Sequence, residues 1–310
     1  MKKNRFKGGG GYARFNRIGP GANALFNALL FALAALCIVP MLLVLAISLS
    51  PEQEILRSGY RFFPRRISLE GCAFVIRQGG TILRALGMSV FVTVSGTVIG
   101  VTLNSLMGYV LSRRRYRLRG FFTWLVFIPM VFNGGLVATY FVTAQFLGLK
   151  DSVWALILPL SVSSFSVIVC KTFFRISIPD SLIESAVIDG ASQLRIYASI
   201  VLPLSLPVLA TVGLFLSFAY WNDWFQAMLY IDNTSLFTLQ AYLNRLLGDI
   251  NFLAQNAASL GASQAELLAA MPKEAARMAI VVIAVLPAAC VYPFFQKYFV
   301  AGLTVGAVKG

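Results

Sequence analysis

The sequence predicts an all-α polytopic membrane protein with six transmembrane helices and both termini on the inner side. Three observations carry this. Hydrophobic residues make up 58% of the chain and charged residues 12%, with a mean hydropathy of +0.77, outside the range of soluble domains. Apolar runs of about 20 residues or more, each long enough to cross a bilayer, recur between polar segments. The basic residues are also unevenly placed: with alternate polar segments assigned inside, sixteen Lys and Arg face three acids there, against ten and eight outside. That is the asymmetry the positive-inside rule requires, so the net charge of +14 orients the chain and needs no nucleic acid.

In chain order, residues 1–23 hold six basic residues, no acid and Gly8 to Gly11, and are expected to be a disordered cytoplasmic tail. Residues 24–310 are then a single membrane domain. The first span, 24–49, is too long for a signal-peptide core and should remain attached. An outer segment, 50–83, leads to a second span over 84–111, where Gly96, Gly100, Asn104 and Gly108 recur every fourth residue and predict a close helix contact. Five arginines and no acid in 112–120 give the strongest inner signal. A third span, 121–147, is interrupted by Pro129 and Asn133-Gly134-Gly135, and a fourth, 152–173, carries Pro159. After the inner loop 174–202 come a fifth span over 203–230, an outer segment 232–274, and a sixth span over 275–299. The outer segment contains an amphipathic helix marked by Leu239, Leu243, Leu246 and Ile250.

The absence of histidine argues against hydrolytic or zinc-dependent chemistry, and Cys37, Cys72, Cys170 and Cys290 are too scattered for a disulfide framework. The polar island inside the loop is the most informative stretch. Ser177 and Asp180 have the spacing of a helix start, with Pro179 at a first-turn position. Leu182, Ile183, Ala186 and Val187 form an apolar stripe, Asp189-Gly190 supplies a C-cap, and Ser192 caps a second helix running into the membrane. By amphipathicity alone this is an ordinary interfacial helix pair. A second candidate site is Trp221-Asn222-Asp223-Trp224: an acid in a span suggests a lined path on which indoles stack sugar rings, and an interfacial aromatic belt is the other reading.

Glu184, Ala186, Asp189, Gly190 and Ala191, followed after nine residues by Ile200, Leu202 and Pro203, resemble the EAA loop of ABC importer permeases, in the form typical of carbohydrate uptake. Ser185 stands where that motif usually has its middle alanine, and Ala138 follows the N-G-G-L stretch where proline is usual. Trp221 to Phe225 matches the W-N-x-W-F of sugar permeases, and the ending from Gln296 to Gly310 resembles that of maltose-type small permeases. The chain is most similar to permeases for complex or acidic polysaccharide fragments, alginate among them.

The resemblance implies a type I importer permease, multi-pass in a bacterial inner membrane. Its partners would be a second related permease, two ATPase subunits and an external solute-binding protein. The chain would couple to the ATPases through the loop over 179–203, of which Pro179 to Ile196 would dock in an ATPase cleft, with Glu184 making a polar contact and Gly190 the turn. The tail residues Gly306, Val308, Lys309 and Gly310 would reach the ATPase junction. Cofactors on this chain are none, ATP and Mg belonging to the ATPases; consistently, no G-K dipeptide and hence no phosphate loop occurs in the sequence. The transported oligosaccharide is acidic in one reading of Arg57, Arg61, Arg65, Arg66, Arg77 and Arg84 in the first outer segment; in the other they dock acidic patches on the binding protein or lipid headgroups. The alternative class, an ion-coupled secondary sugar transporter, requires intramembrane acid or histidine relays and internal repeats. The sequence offers one buried acid and neither of the others.

Overall fold

The computed structural model describes residues 19–77, 79–132, 134–255 and 272–307, with backbone alone from residue 291 onward. Every regular element among them is helical. Helix α1, Pro20–Ser48, starts with proline in its first turn, where no donor is needed. It is almost wholly exposed, with Phe31 and Leu36 more than two-thirds open, as suits a helix whose surroundings are lipid or another subunit. Two short helices, α2 (Glu52–Ser58) and α3 (Glu70–Arg77), precede the long α4 (Gly79–Ser112).

Between residues 119 and 230 the helical segments are short and interrupted, whereas the last helix is continuous. Helix α5 (Arg119–Val131) is followed by α6 (Gly135–Tyr140) and a wide turn over Phe141–Phe146, with Gly135 at φ 81°. The break expected near Pro129 and Gly134 is therefore present, with Asn133 outside the described residues. Helices α7 (Val153–Ser161) and α8 (Ser164–Ser177) meet at 48°. The loop helices α9 (Asp180–Ile188) and α10 (Gln193–Ile196) precede α11 (Leu206–Trp221), α12 (Phe225–Tyr230), α13 (Leu239–Gln255) and α14 (Lys273–Ala307).

Helix α4 is the axis of the molecule, and its small residues explain why. A Cβ at Gly96 would fall 2.5 Å from the Tyr220 ring; at Gly108 it would fall 2.6 Å from Cys170 Cβ. The stripe therefore brings α11 to one side and α8 to another, as its four-residue spacing predicts. Leu156, Cys170, Phe174, Val212, Leu216 and Tyr220 close the main core around it. Asn104 resolves the break between α7 and α8: its Nδ2 donates to the Gly100 and Ser161 carbonyls at 2.6 and 2.8 Å, and its Oδ1 accepts from the Ser163 amide at 3.0 Å. A single amide side chain thus satisfies backbone groups that lipid could not.

Two expectations need correction. The fifth span does not run unbroken over 203–230: it bends by 84° at Ser205 and stops again between Trp221 and Phe225. Prolines 203 and 207 flank that first bend, where a missing amide donor and ring clash disfavour a straight helix. Nor does Ser177 cap α9. It ends α8, and Pro179 occupies the N-cap position with no side-chain bond. As single helices, Pro20–Ser48 and Gly79–Ser112 are long and apolar enough to cross a membrane; α7 with α8, and α10 with α11, reach that length as bent pairs.

Candidate functional site

The loop over residues 174–202 folds as two short helices joined by a tight turn. Gly190 sits at φ 78°, in the left-handed region that glycine enters without cost. Its amide donates to the Val187 carbonyl at 3.0 Å, and the Ala191 amide donates to Ala186 at 2.9 Å. This is the paired 5→2 and 6→1 pattern that closes a helix C-terminus, and it uses Ala186, Gly190 and Ala191 of the motif for backbone geometry. Ser192 then caps α10 as expected, its hydroxyl accepting from the Arg195 amide at 3.3 Å. Of the apolar stripe on α9, Ile183 and Ala186 are buried, whereas Leu182 and Val187 stay open together with Glu184 and Asp189. The outward face is therefore mixed, apolar as well as acidic.

After Ile196 the chain widens into a π-helical turn, Tyr197–Val201, and a final turn, Leu202–Leu204. Pro203 lacks the amide a regular helix would need, and the wider turn accommodates it. Ile200 and Leu202 pack partly buried on the main core while Val201 is sealed within it. The 84° bend then lays this segment across the end of α11, so the second loop helix does not run straight into the membrane.

Residues outside the motif tie the loop to α4, and sequence reasoning missed most of them. Tyr109 donates its hydroxyl to Gln193 Oε1 at 2.9 Å, the Tyr197 and Ser105 hydroxyls share a 2.6 Å hydrogen bond, and the Tyr109 and Tyr197 rings lie 5.4 Å apart. Asp180 at the start of α9 faces the arginine run: Arg113 Nη1 lies 3.7 Å and Arg114 Nε 3.4 Å from its carboxylate. Arg113 also lies over the Tyr109 ring, 5.2 Å from its centroid. Asp180 and Arg114 are well exposed, so that ion pair positions the loop more than it stabilises it, at about 0–1 kcal/mol, whereas the Arg113 side chain is largely buried. Between the two segments is a cleft of about 550 Å³ bordered by Arg113, Arg114, Arg115, Asp180, Glu184 and Gln193. Polar residues in an otherwise apolar span, Ser105 and Tyr109, were the available signal for this coupling.

The second candidate site is divided by the structure. Trp221 is buried, its indole donating to the Ala284 carbonyl at 3.2 Å amid Leu239, Leu243 and Ile280. It is a packing residue, not half of a pair of exposed stacking faces. Asn222 and Trp224 are exposed and Asp223 half-buried, and the Asp223 carboxylate accepts from the Gln226 amide at 3.3 Å, capping α12. A neighbouring pocket of about 300 Å³ lies between α12 and α6, against Gln226, Tyr230 and Thr139. Of the predicted tail contacts, Gly306 lies in α14, and Val308, Lys309 and Gly310 fall outside the described residues.

Comparison with known proteins bears directly on this arrangement. Residues 78–305 match the family model described as "Binding-protein-dependent transport system inner membrane component". The chain is 37% identical over 292 residues, 93% of its length and 99% of the relative's, to the polygalacturonan/rhamnogalacturonan transport system permease protein YtcP of Bacillus subtilis (strain 168). It is 28% identical, over 90% of its length and 93% of the relative's, to the arabinooligosaccharides transport system permease protein AraQ of Halalkalibacterium halodurans. Among solved structures it superposes, at TM-score 0.77 and 28% identity, on a chain from the crystal structure of a bacterial ABC transporter involved in the import of the acidic polysaccharide alginate, covering 91% of this chain and 99% of that one. The chain belongs to the binding-protein-dependent transport system inner membrane components, as a permease subunit of an ABC transporter rather than an enzyme.

Proposed function

We propose that this chain forms half of the translocation path of an ATP-driven importer of acidic oligosaccharides in the bacterial inner membrane. It would pair with a second, related permease, two ATPase subunits that bind ATP and Mg, and an external solute-binding protein. The observation that carries the coupling role is the loop itself. It is a two-helix projection closed at Gly190, bearing Glu184 on its open face and pinned to α4 by Tyr109–Gln193 and Ser105–Tyr197. In this reading 179–203 docks on an ATPase, and closure of the ATPase pair moves α4 and α11 between inward-open and outward-open arrangements. Asn222, Asp223 and Trp224 line the path.

Six spans with both termini inside remain our topology, and side-chain contacts support its sidedness. The segments assigned outside touch one another: Glu52 accepts from the Glu274 and Ala275 amides, and Lys150 pairs with Asp232 at 2.7 Å. The segments assigned inside are joined by Asp180 with Arg113 and Arg114. The acidic substrate class is supported by two of the three proteins compared above, whose names refer to polygalacturonan and to the acidic polysaccharide alginate, while the third is named for arabinooligosaccharides. The test is ATPase activity of the reconstituted complex with its binding protein, comparing uronate and neutral oligosaccharides of equal length. Stimulation by the uronate series is expected; a preference for the neutral series would overturn the acidic-substrate reading and leave the permease assignment standing.

A further inference from the structure

We propose that the pocket between the first turns of α5 and the last turns of α8 holds the phosphodiester headgroup of an anionic phospholipid. The pocket, of about 220 Å³, is bordered by Ser112, Arg119, Thr123, Trp124, Lys171 and Arg175. Three of these are cations and none is an acid. Lys171 Nζ donates to Thr123 Oγ1 at 3.0 Å, which uses one of its three protons, and the charges that act on Lys171 are those of Arg175 and Arg119, both of its own sign. Among the described residues no carboxylate pairs with any of the three, whereas Arg113 and Arg114 of the same basic run share Asp180. Like charges held around a concave, hydroxyl-bearing floor repel one another until an anion enters, and a phosphodiester accepts from all three at once.

The surface beside the pocket identifies the source of that anion. Helix α5 bares Phe121, Trp124, Leu125 and Ile128, between 48% and 65% exposed, in a strip that leads away from the cations. An apolar strip continuous with a basic pocket suits acyl chains below a headgroup, and an indole at their junction sits where interfacial tryptophans concentrate. Basic pockets between transmembrane helices on the cytoplasmic side are where such headgroups are retained. The leaflet rests on the topology proposed above; the binding measurement does not.

The experiment uses the assembled complex in nanodiscs of phosphatidylcholine doped with brominated phosphatidylglycerol or brominated phosphatidylcholine, reading tryptophan quenching. Brominated phosphatidylglycerol is expected to quench wild type at a severalfold lower mole fraction, through a component that Trp124→Phe removes. Arg119→Gln/Arg175→Gln should abolish the preference with subunit composition unchanged; if that variant does not assemble, Arg175→Gln at the exposed position should reduce it severalfold. Equal quenching by the two lipids, or a preference that survives these substitutions, overturns the proposal. Competition by inorganic phosphate alone would reassign the pocket to a free anion. Loss of partner subunits from the variant with its lipid preference intact would reassign the cations to a protein carboxylate. Since neither ATP nor oligosaccharide is present, failure here is distinguishable from failure of the importer reading.

Discussion

Asn104 spans two helices with one side chain, and Leu in its place would keep the branched outline, with bulkier ends, while orphaning the Ser161 carbonyl and the Ser163 amide. Each buried group left unpaired costs about 1–3 kcal/mol, so thermal unfolding of the purified complex should register a loss of about 2–6 kcal/mol for Asn104→Leu. An unchanged melting curve would mean that the break between α7 and α8 is satisfied in another way. Gly190 illustrates a different constraint. A Cβ there meets nothing within 4 Å, so the demand lies in the backbone at φ 78°, not in space. Asn tolerates that region and a β-branched residue does not. Gly190→Val should therefore insert normally yet lose transport per ATP hydrolysed, and Gly190→Asn should retain most of it; equal coupling in both variants would detach the turn from the mechanism. The glycine was legible in the sequence because its effect is local. The role of Asn104 was not, because its partners lie 57 and 59 residues away.

Elements follow the same division between local and distant causes. The amphipathic helix expected from Leu239, Leu243, Leu246 and Ile250 is present as α13, with three of the four buried, since a 3.6-residue period determines its own face. The 84° bend and the break after Trp221 escaped because hydropathy averages over the very residues that interrupt a span. The turn between α6 and α7 shows how such interruptions are tied together. Asp151, at φ 56°, accepts from the Asp232 and Asn233 amides at 2.6 and 2.9 Å and donates its own amide to Tyr230 at 3.0 Å. The Asn233 and Asp232 amides hold its carboxyl below the usual carboxylate range. A depressed folded pKa means that the stabilisation is complete above the ordinary carboxylate pKa and is lost as pH falls through the lower, folded value. Protection factors at the Asp232 and Asn233 amides, exchange rates relative to the unstructured rate at the same pH, should thus hold at neutral pH and fall only in stronger acid than an ordinary aspartate requires. Asp151→Asn keeps an acceptor oxygen and should remove that pH dependence; protection that falls identically in both proteins would assign the effect to another group. At the far end, deleting residues 306–310 should lower coupled ATPase activity without loss of assembly, and wild-type transport in the truncated complex would leave the tail without a coupling role.

At the scale of the whole molecule the question is what the positive charge of the segment over residues 50–84, outside in the proposed topology, attracts. Arg57, Arg61, Arg65, Arg66, Arg77 and Arg84 are all exposed, and none pairs with an acid among the described residues. Two of the three acids in that segment are committed to backbone groups: Glu52 to the first amides of α14, and Glu54 to the Arg65 amide at 3.0 Å. The arginines therefore act together as a field at the end that the proposed topology places outside, and such a field raises the local concentration of anions until salt screens it, over about 8 Å at physiological ionic strength. A uronate chain carries many charges and a neutral oligosaccharide none, whereas the binding protein that delivers either is the same. If the field acts on the sugar, raising the salt should weaken stimulation by uronate oligosaccharides severalfold and leave the neutral series nearly flat, and Arg57→Gln/Arg61→Gln/Arg65→Gln/Arg66→Gln should flatten the uronate curve as well. If salt and the substitutions depress both series equally, the arginines dock the binding protein, and selection among sugars must occur elsewhere, before the substrate reaches this chain.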